Sequence, residues 1–505
     1  MSGPQDVSRE DLLALIAELR TVNVALQVRV AEQDARAVEQ DARIAAQEAR
    51  IAEQDTRIAQ LERALSRNSG NSSMPPSSDD LPGRRTPPRR DGKGGQRGKR
   101  PGAPGSGLAW RVPDETVAHR PEGVCGCGAD LADALDAGVV RSHQVHDVPL
   151  TTATVVQHDL HAAVCGCGRR HVAARPDQVV DAPVSYGPSL RALVVYLLVF
   201  QHLPVERCAQ LVADVTGAKP STGFVHGLLA TAAAAVRDVV ALVKTLVTAA
   251  FVVGFDETTL RVGPAGMKRY VLSASTDRHT LYWLGGRDKT SFADFGILSA
   301  VTGIAVHDRY ALYDHPDLTA NLSGHQICCA HLLRDLADAA EAYPDQHWPA
   351  QADRALRGLI RAAHTARDRA RPAVPAPAAD PLIVEFRQAV RFGLSQIRRA
   401  PGPAATTKQP PGRLLLECLR DRQDDVLRFV GDTCIPPTNN QSERDLRPQK
   451  TQQKNTGRLT SETTTRDRLA LRSYISTAAK NGTDAMTALR DALTGNPWSP
   501  AHTTV

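Results

Sequence analysis

Ala249–Gly254 reads AAFVVG and runs directly into FDET at Phe255–Thr258. An apolar, β-branched run of this kind reads as a buried strand, and it delivers a carboxylate, Asp256, at its end. Ala300–Val306 (AVTGIAV) is a second such run, and it stops two residues before Asp308 in HDRYALYD at His307–Asp314. Arg269–Ser275 and Thr280–Gly285 read as strands between them, which predicts an antiparallel meander followed by a further strand. A third carboxylate, Glu443, stands in TNNQSERDLRP at Thr438–Pro448, after a Pro-Pro turn and an asparagine pair, where a helix begins. Two acids at strand ends and a third on a distant helix can converge on divalent metal for phosphoryl-transfer chemistry. A single acid after a strand is more often a solvated turn residue or a helix cap, so the pattern takes its weight from the rest of the chain.

Outward from this core, 505 residues leave room for about three or four domains. The net charge of +6 is unevenly placed. Arg84–Arg100 holds eight Lys or Arg, Arg84, Arg85, Arg89, Arg90, Lys99 and Arg100 among them, against Asp91 alone. Set among Gly and Pro, such a run buries no apolar surface and predicts a disordered basic arm. It attracts nucleic-acid phosphate through counterion release; a merely solubilising linker is the plain alternative. The start MSGPQDVSRE lacks a secretory pattern, and Leu190–Phe200 and Val236–Phe255 are too short or too interrupted by charge to span a bilayer. Nine cysteines without a secretory signal suggest reduced thiols or metal ligands. The reading is a cytoplasmic, nucleoid-associated protein with no membrane partner.

Within residues 1–66, Leu12–Leu65 follow an unbroken heptad. One seam is Leu12, Leu19, Leu26, Gln33, Gln40, Gln47, Gln54 and Leu61; the other is Ile16, Asn23, Val30, Ala37, Ile44, Ile51, Ile58 and Leu65. Alternating four- and three-residue spacings predict a coiled coil and a homo-oligomer; an amphipathic helix docked on its own chain is the alternative. Residues 67–107 form a Ser, Pro, Gly and Arg-rich linker. Within 108–181, Cys125-Gly-Cys127-Gly and Cys165-Gly-Cys167-Gly flank a strand-like Val145–Leu160. Four thiolates suit tetrahedral zinc, although the Cys-x-Cys spacing is tighter than usual. Metal-free turns, or a ligand set that draws on His143, His146 or His171, remain open. Residues 182–248 predict helices over Pro188–His202, Val205–Val215 and Ser221–Ala234. Gly217 and Pro220 in the intervening turn give helix–turn–helix spacing; a structural bundle is the other reading. Long helices follow Cys329, interrupted at Arg371–Pro381, with further helices at Arg413–Thr433 and Asp467–Asn481, and 486–505 read as a tail.

Several strings are long and unusual: NSSMPPSSDD at Asn71–Asp80, FDET, DRYALYD at Asp308–Asp314, CCAHLLRDL at Cys328–Leu336, NNQSERDLRPQK at Asn439–Lys450 and RSYISTAAKNG at Arg472–Gly482. With the zipper-like N-terminus and the Cys-rich segment, and in this order, they resemble the large transposase of the insertion-sequence-sixty-six family along nearly the whole chain. The resemblance implies an α/β fold with a ribonuclease-H-like catalytic core at 249–485 and a helical insertion at about 330–430. A coiled coil, a zinc-finger-like module and a helical DNA-binding region would precede it. It implies an Asp-Asp-Glu triad, which maps onto Asp256, Asp308 and Glu443.

DNA strand transfer requires an oxygen nucleophile in line with a phosphodiester and stabilisation of the leaving 3′ oxygen. Two Mg²⁺ (or Mn²⁺) ions about 3.5–4 Å apart supply both, with Asp256 bridging and Asp308 and Glu443 each holding one. Adjacent side chains of a strand face opposite ways, so only one of Asp256 and Glu257 faces the metals, and the resemblance selects Asp256. Asp314 reads as structural. His331 and Arg334 share a helix face and are candidates to contact DNA phosphate; a buried His beside a surface Arg is the plainer reading. Arg444, Arg447 and Lys450 form a basic stripe suited to a phosphate backbone, and Asn439 and Asn440 read as caps of that helix. The partners are the element's ends, target DNA and accessory proteins of the same element. A nuclease or resolvase that cuts without joining, and a DNA-binding regulator with a degenerate core, are the rival functions.

Overall fold

The structure, a computed structural model, describes residues 9–66, 109–147, 152–176, 179, 181–402, 409–410 and 412–501. The basic arm, with Arg84, Arg85, Arg89, Arg90, Lys99 and Arg100, lies outside the described residues. The chain divides into two units, one containing the N-terminal helix and the other the rest of the fold apart from residues 337–342. Helix α1, Arg9–Ser66, is continuous over 58 residues. Its described seam side chains, Leu12, Ile16, Leu19, Leu26, Val30, Ile44, Ile51, Ile58 and Leu61 among them, are all exposed.

In the second unit, short strands β1 (Ala162–Val164) and β2 (Arg170–Val172) form a hairpin. The described part of Val145–Leu160 holds no strand, contrary to its β-branched composition. Those residues are exposed and find no partner strand among the described residues, so composition alone does not make them pair. Four helices follow: α2 (Pro188–Val195), which continues as a π-helical turn at Tyr196–Phe200, α3 (Val205–Thr216), α4 (Thr222–Ala235) and α5 (Arg237–Thr248). Gly217 closes α3 in the left-handed region, and the Ser221 side chain caps α4 by accepting from the Phe224 N–H. The exposed side of α4 presents His226, Gly227, Ala230, Thr231 and Ala234. No Arg, Lys, Asn or Gln stands on that side; its exposed polar side chains are Thr222, His226 and Thr231.

The sheet contains β3 (Val252–Leu260), β4 (Arg269–Ser275), β5 (Thr280–Gly285), β6 (Ile304–His307) and β7 (Gly324–Ile327), in the order β5-β4-β3-β6-β7. β5, β4 and β3 form an antiparallel meander, and β6 and β7 add in parallel. Strand β3 continues through the polar residues Asp256–Thr259, because β4 pairs with it as far as Leu260↔Arg269. Asp256 is therefore within a strand and not at its end. Between β5 and β6 lies α6 (Lys289–Phe295), and between β6 and β7 the single turn α7 (Pro316–Thr319). Helices α8 (Cys329–Ala342), α9 (Trp348–Asp368), α10 (Ala376–Gln396), α11 (Arg413–Asp421) and α12 (Gln423–Gly431) follow. Helix α13 (Asn440–Thr456) then returns to the sheet, followed by α14 (Glu462–Lys480) and α15 (Ala485–Leu493). The segment read as a tail thus contains a helix, capped by the Asp484 side chain and burying Ala488, Leu489 and Ala492. No single described helix is long and apolar enough to cross a membrane.

The two faces of the sheet bury different clusters. Val253, Phe255, Leu272, Ala274, Leu281 and Ala305 pack with α2, α4, α5 and α15. Leu260, Val271, Tyr282 and Leu284 pack with Leu446 of α13 and Leu469 of α14. Helix α14 also closes the open edge of β5. The Tyr282 N–H donates to Ser473 Oγ at 3.0 Å and the Thr280 N–H to Thr477 Oγ1 at 3.1 Å. Four helical residues advance about 6 Å and two strand residues about 6.8 Å, so hydroxyls four apart match alternate edge amides. Lys480 extends the seam by donating to the Thr276 carbonyl at 2.8 Å and to Asp445 of α13 at 2.7 Å. The string RSYISTAAK is, in this part, an edge cap that keeps β5 from pairing with other chains.

Thr477→Val keeps the shape of the side chain and leaves the buried Thr280 N–H without an acceptor. It should lower stability by about 1–3 kcal/mol, the cost of one orphaned buried donor. Chemical denaturation measures this, and an unchanged midpoint would remove the edge-capping role.

Candidate active site

The parallel register Gly254↔Val306 places Asp256 and Asp308 at the same level, each two residues further on. Side chains of β3 alternate: Phe255 and Glu257 point to the side of Tyr313, whereas Gly254, Asp256 and Leu260 face α13. Helix α13 seats its first turn on Gly254, where a Cβ would stand 2.4 Å from Ser442 Oγ and 2.8 Å from Asn439 Oδ1. Asn439 occupies the N-cap position but makes no side-chain cap bond. Its Nδ2 donates instead to the Phe255 carbonyl at 2.5 Å, tying the helix start to the strand. Glu443, in the first turn of α13, is thereby delivered to the face that carries Asp256.

Glu257 is held apart on the other face. Its side chain is only 4% exposed, paired with Arg287 at 2.8 Å and accepting from the Tyr313 hydroxyl at 2.5 Å. Asp256 has no cationic partner of this kind. Burial, and then the negative charges of Glu257, Asp308 and Glu443, push its carboxyl up to about 8. Glu257 is also raised, by burial first and then by Asp308. Like charges crowded into a partly desolvated space favour the neutral acid unless a cation joins them. The donors are hard oxygens, which fits Mg²⁺ or Mn²⁺.

Asp308 is held by the Tyr310 N–H, which donates to Oδ1 at 2.8 Å. The adjoining His307 is buried. Its Nε2 meets His325 Nδ1 at 3.0 Å, its Nδ1 contacts the Asp308 carbonyl, and its ring stacks on Tyr313. Burial holds its pKa down to about 3, so it is a neutral spacer beneath Asp308. Asp314 pairs with Arg422 at 2.6 Å. His331 and Arg334, both on α8, lie against Glu443: Arg334 Nη2 donates to Oε1 at 3.2 Å, and His331 Nε2 stands 3.9 Å from the same oxygen. Burial and then Arg334 keep the imidazole below its ordinary pKa. Arg444, Arg447 and Lys450 are exposed on α13, opposite the buried Leu446 and Gln449, and form a basic stripe beside the carboxylates.

The cysteine pairs adopt matching turns. The Cys125 N–H donates to Ala129 O and the Gly128 N–H to Cys125 O, both at 2.8 Å; Cys165, Gly168 and Arg169 repeat the pattern. Gly128 and Gly168 have φ of +91° and +81°, which only glycine adopts readily. Cys125, Cys127, Cys165 and Cys167 are exposed, and the structure does not gather them to one centre. Among the described residues, the groups of three metal-ligating side chains close enough to share an ion are His307–Asp314–His325 and Cys328–His331–Glu443. Sequence reasoning did not pick out Cys328 as a site residue, because an apolar neighbourhood around a cysteine pair reads as core.

A family model described as "Transposase IS66 family" matches residues 183–467, more than half of the chain. A family of unknown function (DUF6444) matches residues 4–107. No curated protein matches the chain.

A raised acid pKa means that the native state binds a proton the unfolded chain does not, between the ordinary carboxylate range and about 8. Asp256 therefore makes the metal-free protein lose stability as pH rises through that window. Asp256→Asn should flatten this part of the pH–stability curve, and Mg²⁺ should raise the wild-type melting temperature at pH 8 but not the variant's. Thermal melts across the window measure both, and equal slopes for the two proteins would show that Asp256 is not in a crowded, uncompensated site.

Proposed function

The chain belongs to the IS66 family of transposases, and we propose that it cleaves and joins DNA by Asp-Asp-Glu chemistry at Asp256, Asp308 and Glu443. The reading rests on Asp308, at the end of β6, and Glu443, on α13, lying close enough to Asp256 of β3 for their charges to raise its pKa. The strand order β5-β4-β3-β6-β7, with three antiparallel strands and two parallel ones, supports a ribonuclease-H-like core with α8–α12 as its helical insertion. Asp256, Asp308 and Glu443 would hold divalent metal, Mg²⁺ or Mn²⁺, whose charge offsets that of the phosphate and of the departing 3′ oxygen. Water attack frees a 3′ hydroxyl at the element's end, and that hydroxyl then displaces a 3′ oxygen in target DNA. Each step breaks one phosphodiester bond and needs no covalent protein–DNA intermediate.

The chain's other residues position the DNA and the acids. Arg444, Arg447 and Lys450 are exposed along α13 and suit the phosphate backbone on either side of the scissile bond. Arg334 and His331 orient Glu443 while the site awaits its cation, and contact scissile phosphate once it is loaded. The basic arm adds affinity without reading sequence. Zinc drawn between the Cys125–Cys127 and Cys165–Cys167 turns would hold the N-terminal module together. The exposed seams of α1 suit a coiled coil that unites two or more copies, each bringing one DNA end. The reading places the protein in the cytoplasm, on the nucleoid.

Asp256→Ala, Asp308→Ala and Glu443→Ala should each reduce cleavage and joining of a duplex carrying the element's end by at least about 10²–10³-fold, the cost of one lost transition-state contact. Gel-shift affinity should stay nearly constant, because the phosphate contacts remain. Joining by any of these variants at the wild-type rate would remove that acid from the triad.

Deleting residues 1–66 should leave a folded chain that sediments as a monomer and no longer holds two ends together. Sedimentation as the same oligomer as the full chain would overturn the role given to the heptads.

A further inference from the structure

We propose that Cys328, His331 and Glu443 form a site for a borderline-soft cation of the zinc class, and that filling it withdraws Glu443 from the Asp256–Asp308 pair and halts the reaction. The inhibitory half rests on the triad reading above; the binding half does not.

One ligand atom from each of the three side chains lies within 4.8 Å of the other two. Tetrahedral zinc, with bonds of about 2.0–2.3 Å, places its ligands about 3.5 Å apart, so the group needs only a small closure. Its members are anchored independently. Cys328 sits between β7 and α8 with its N–H donating to the His307 carbonyl at 2.8 Å. Its sulfur accepts the Asn439 N–H at 3.1 Å, which fixes the direction of the side chain. His331 is held by the first turn of α8, and Glu443 by the first turn of α13.

His331 Nδ1 is buried without a hydrogen-bond partner, and Nε2 is the ring nitrogen nearest Glu443, at 3.9 Å. A thiolate, an imidazole and a carboxylate are also the donor set that prefers zinc over magnesium, whereas the Asp256–Asp308 side offers oxygen alone. The two metal preferences therefore meet at one residue, Glu443. On binding, the Cys328 S–H bond breaks, its proton goes to solvent, and a sulfur–metal bond forms. Arg334, at 3.2 Å from Glu443, gives up its hydrogen bond as the cation takes its place. A fourth position remains for water or a DNA oxygen.

The test uses the full chain and Cys328→Ser. Serine keeps an acceptor for the Asn439 N–H but offers no thiolate. Cys329→Ser is the matched control, since the Cys329 sulfur turns towards the Ile327 and Val426 carbonyls. Each protein is titrated with Co²⁺ and then with Zn²⁺, and zinc inhibition of Mg²⁺-supported cleavage is expressed relative to that protein's own zinc-free rate. The wild type and Cys329→Ser should show more thiolate-to-cobalt charge-transfer absorption than Cys328→Ser, with the four N-terminal cysteines contributing equally to all three. Cys328→Ser should raise the zinc concentration for half-inhibition by at least about tenfold, the lower end of what losing even an outer partner costs a metal site. Identical cobalt spectra, or equal zinc sensitivity, would overturn the proposal. Absence of Mg²⁺-supported cleavage with the cobalt difference intact would instead overturn the triad reading and leave the binding site supported.

Discussion

Helix α13 approaches β3 so closely that no side chain fits at Gly254, and the site depends on that contact. A Cβ there would displace Ser442 and Asn439, and Asn439 is not free to move while it bonds the Phe255 carbonyl. The carboxylate at the helix start is thereby brought over the strand that carries Asp256. From the other end, Asp445, two residues beyond Glu443, is pinned to Lys480 and to the Thr280 hydroxyl. The helix is held by a close backbone approach on one side and a half-buried ion pair on the other. Helix α14, which supplies Lys480, also satisfies the open edge of β5. The edge cap and the helix that carries Glu443 thus share one set of contacts.

This rigidity has an electrostatic cost that the fold does not relieve. Glu257 is neutralised by Arg287 and supported by Tyr313, while Asp256, its neighbour in sequence, faces Asp308 and Glu443. The alternation of a strand separates two adjacent acids into different roles: one is a structural ion pair and the other a member of a charge cluster. Arg334 and His331 lie on the Glu443 side only. Their position keeps Glu443 oriented without neutralising Asp256, so a cation entering the site gains the interaction that the protein leaves unmade.

The strands β4 and β5 were legible from composition to the residue, since an apolar run between turn residues has few other solutions. The second half of β3 was not. Asp256–Thr259 is polar, and only pairing with β4, 11 to 17 residues away, carries the strand through it. Helix α15 was hidden by the Gly and Pro residues after it, although AMTALRDAL has helical spacing and Asp484 a capping position. Asp256, Asp308 and Glu443 stood out through a long match of unusual strings, although Asp256 lies within β3 and not at a strand end. The Arg287 partner of Glu257 and the Cys328–His331 pairing with Glu443 were not, because they are long-range meetings that no local period announces. The Ser473–Thr477 spacing was visible, yet its meaning depended on finding an unpaired strand edge alongside.

The proposal that β3, β6 and α13 bring their acids to one cation can be tested without DNA or turnover. Fe²⁺ replaces Mg²⁺, and ascorbate with peroxide then generates hydroxyl radicals at the bound ion, which cut the chain wherever it lies near. Fragment mapping should place the cuts in three segments far apart in sequence, around Asp256, Asp308 and Glu443, and Asp256→Asn should remove all three together. Cuts at one segment only, or cuts around Asp308 and Glu443 that survive Asp256→Asn unchanged, would contradict a single shared site.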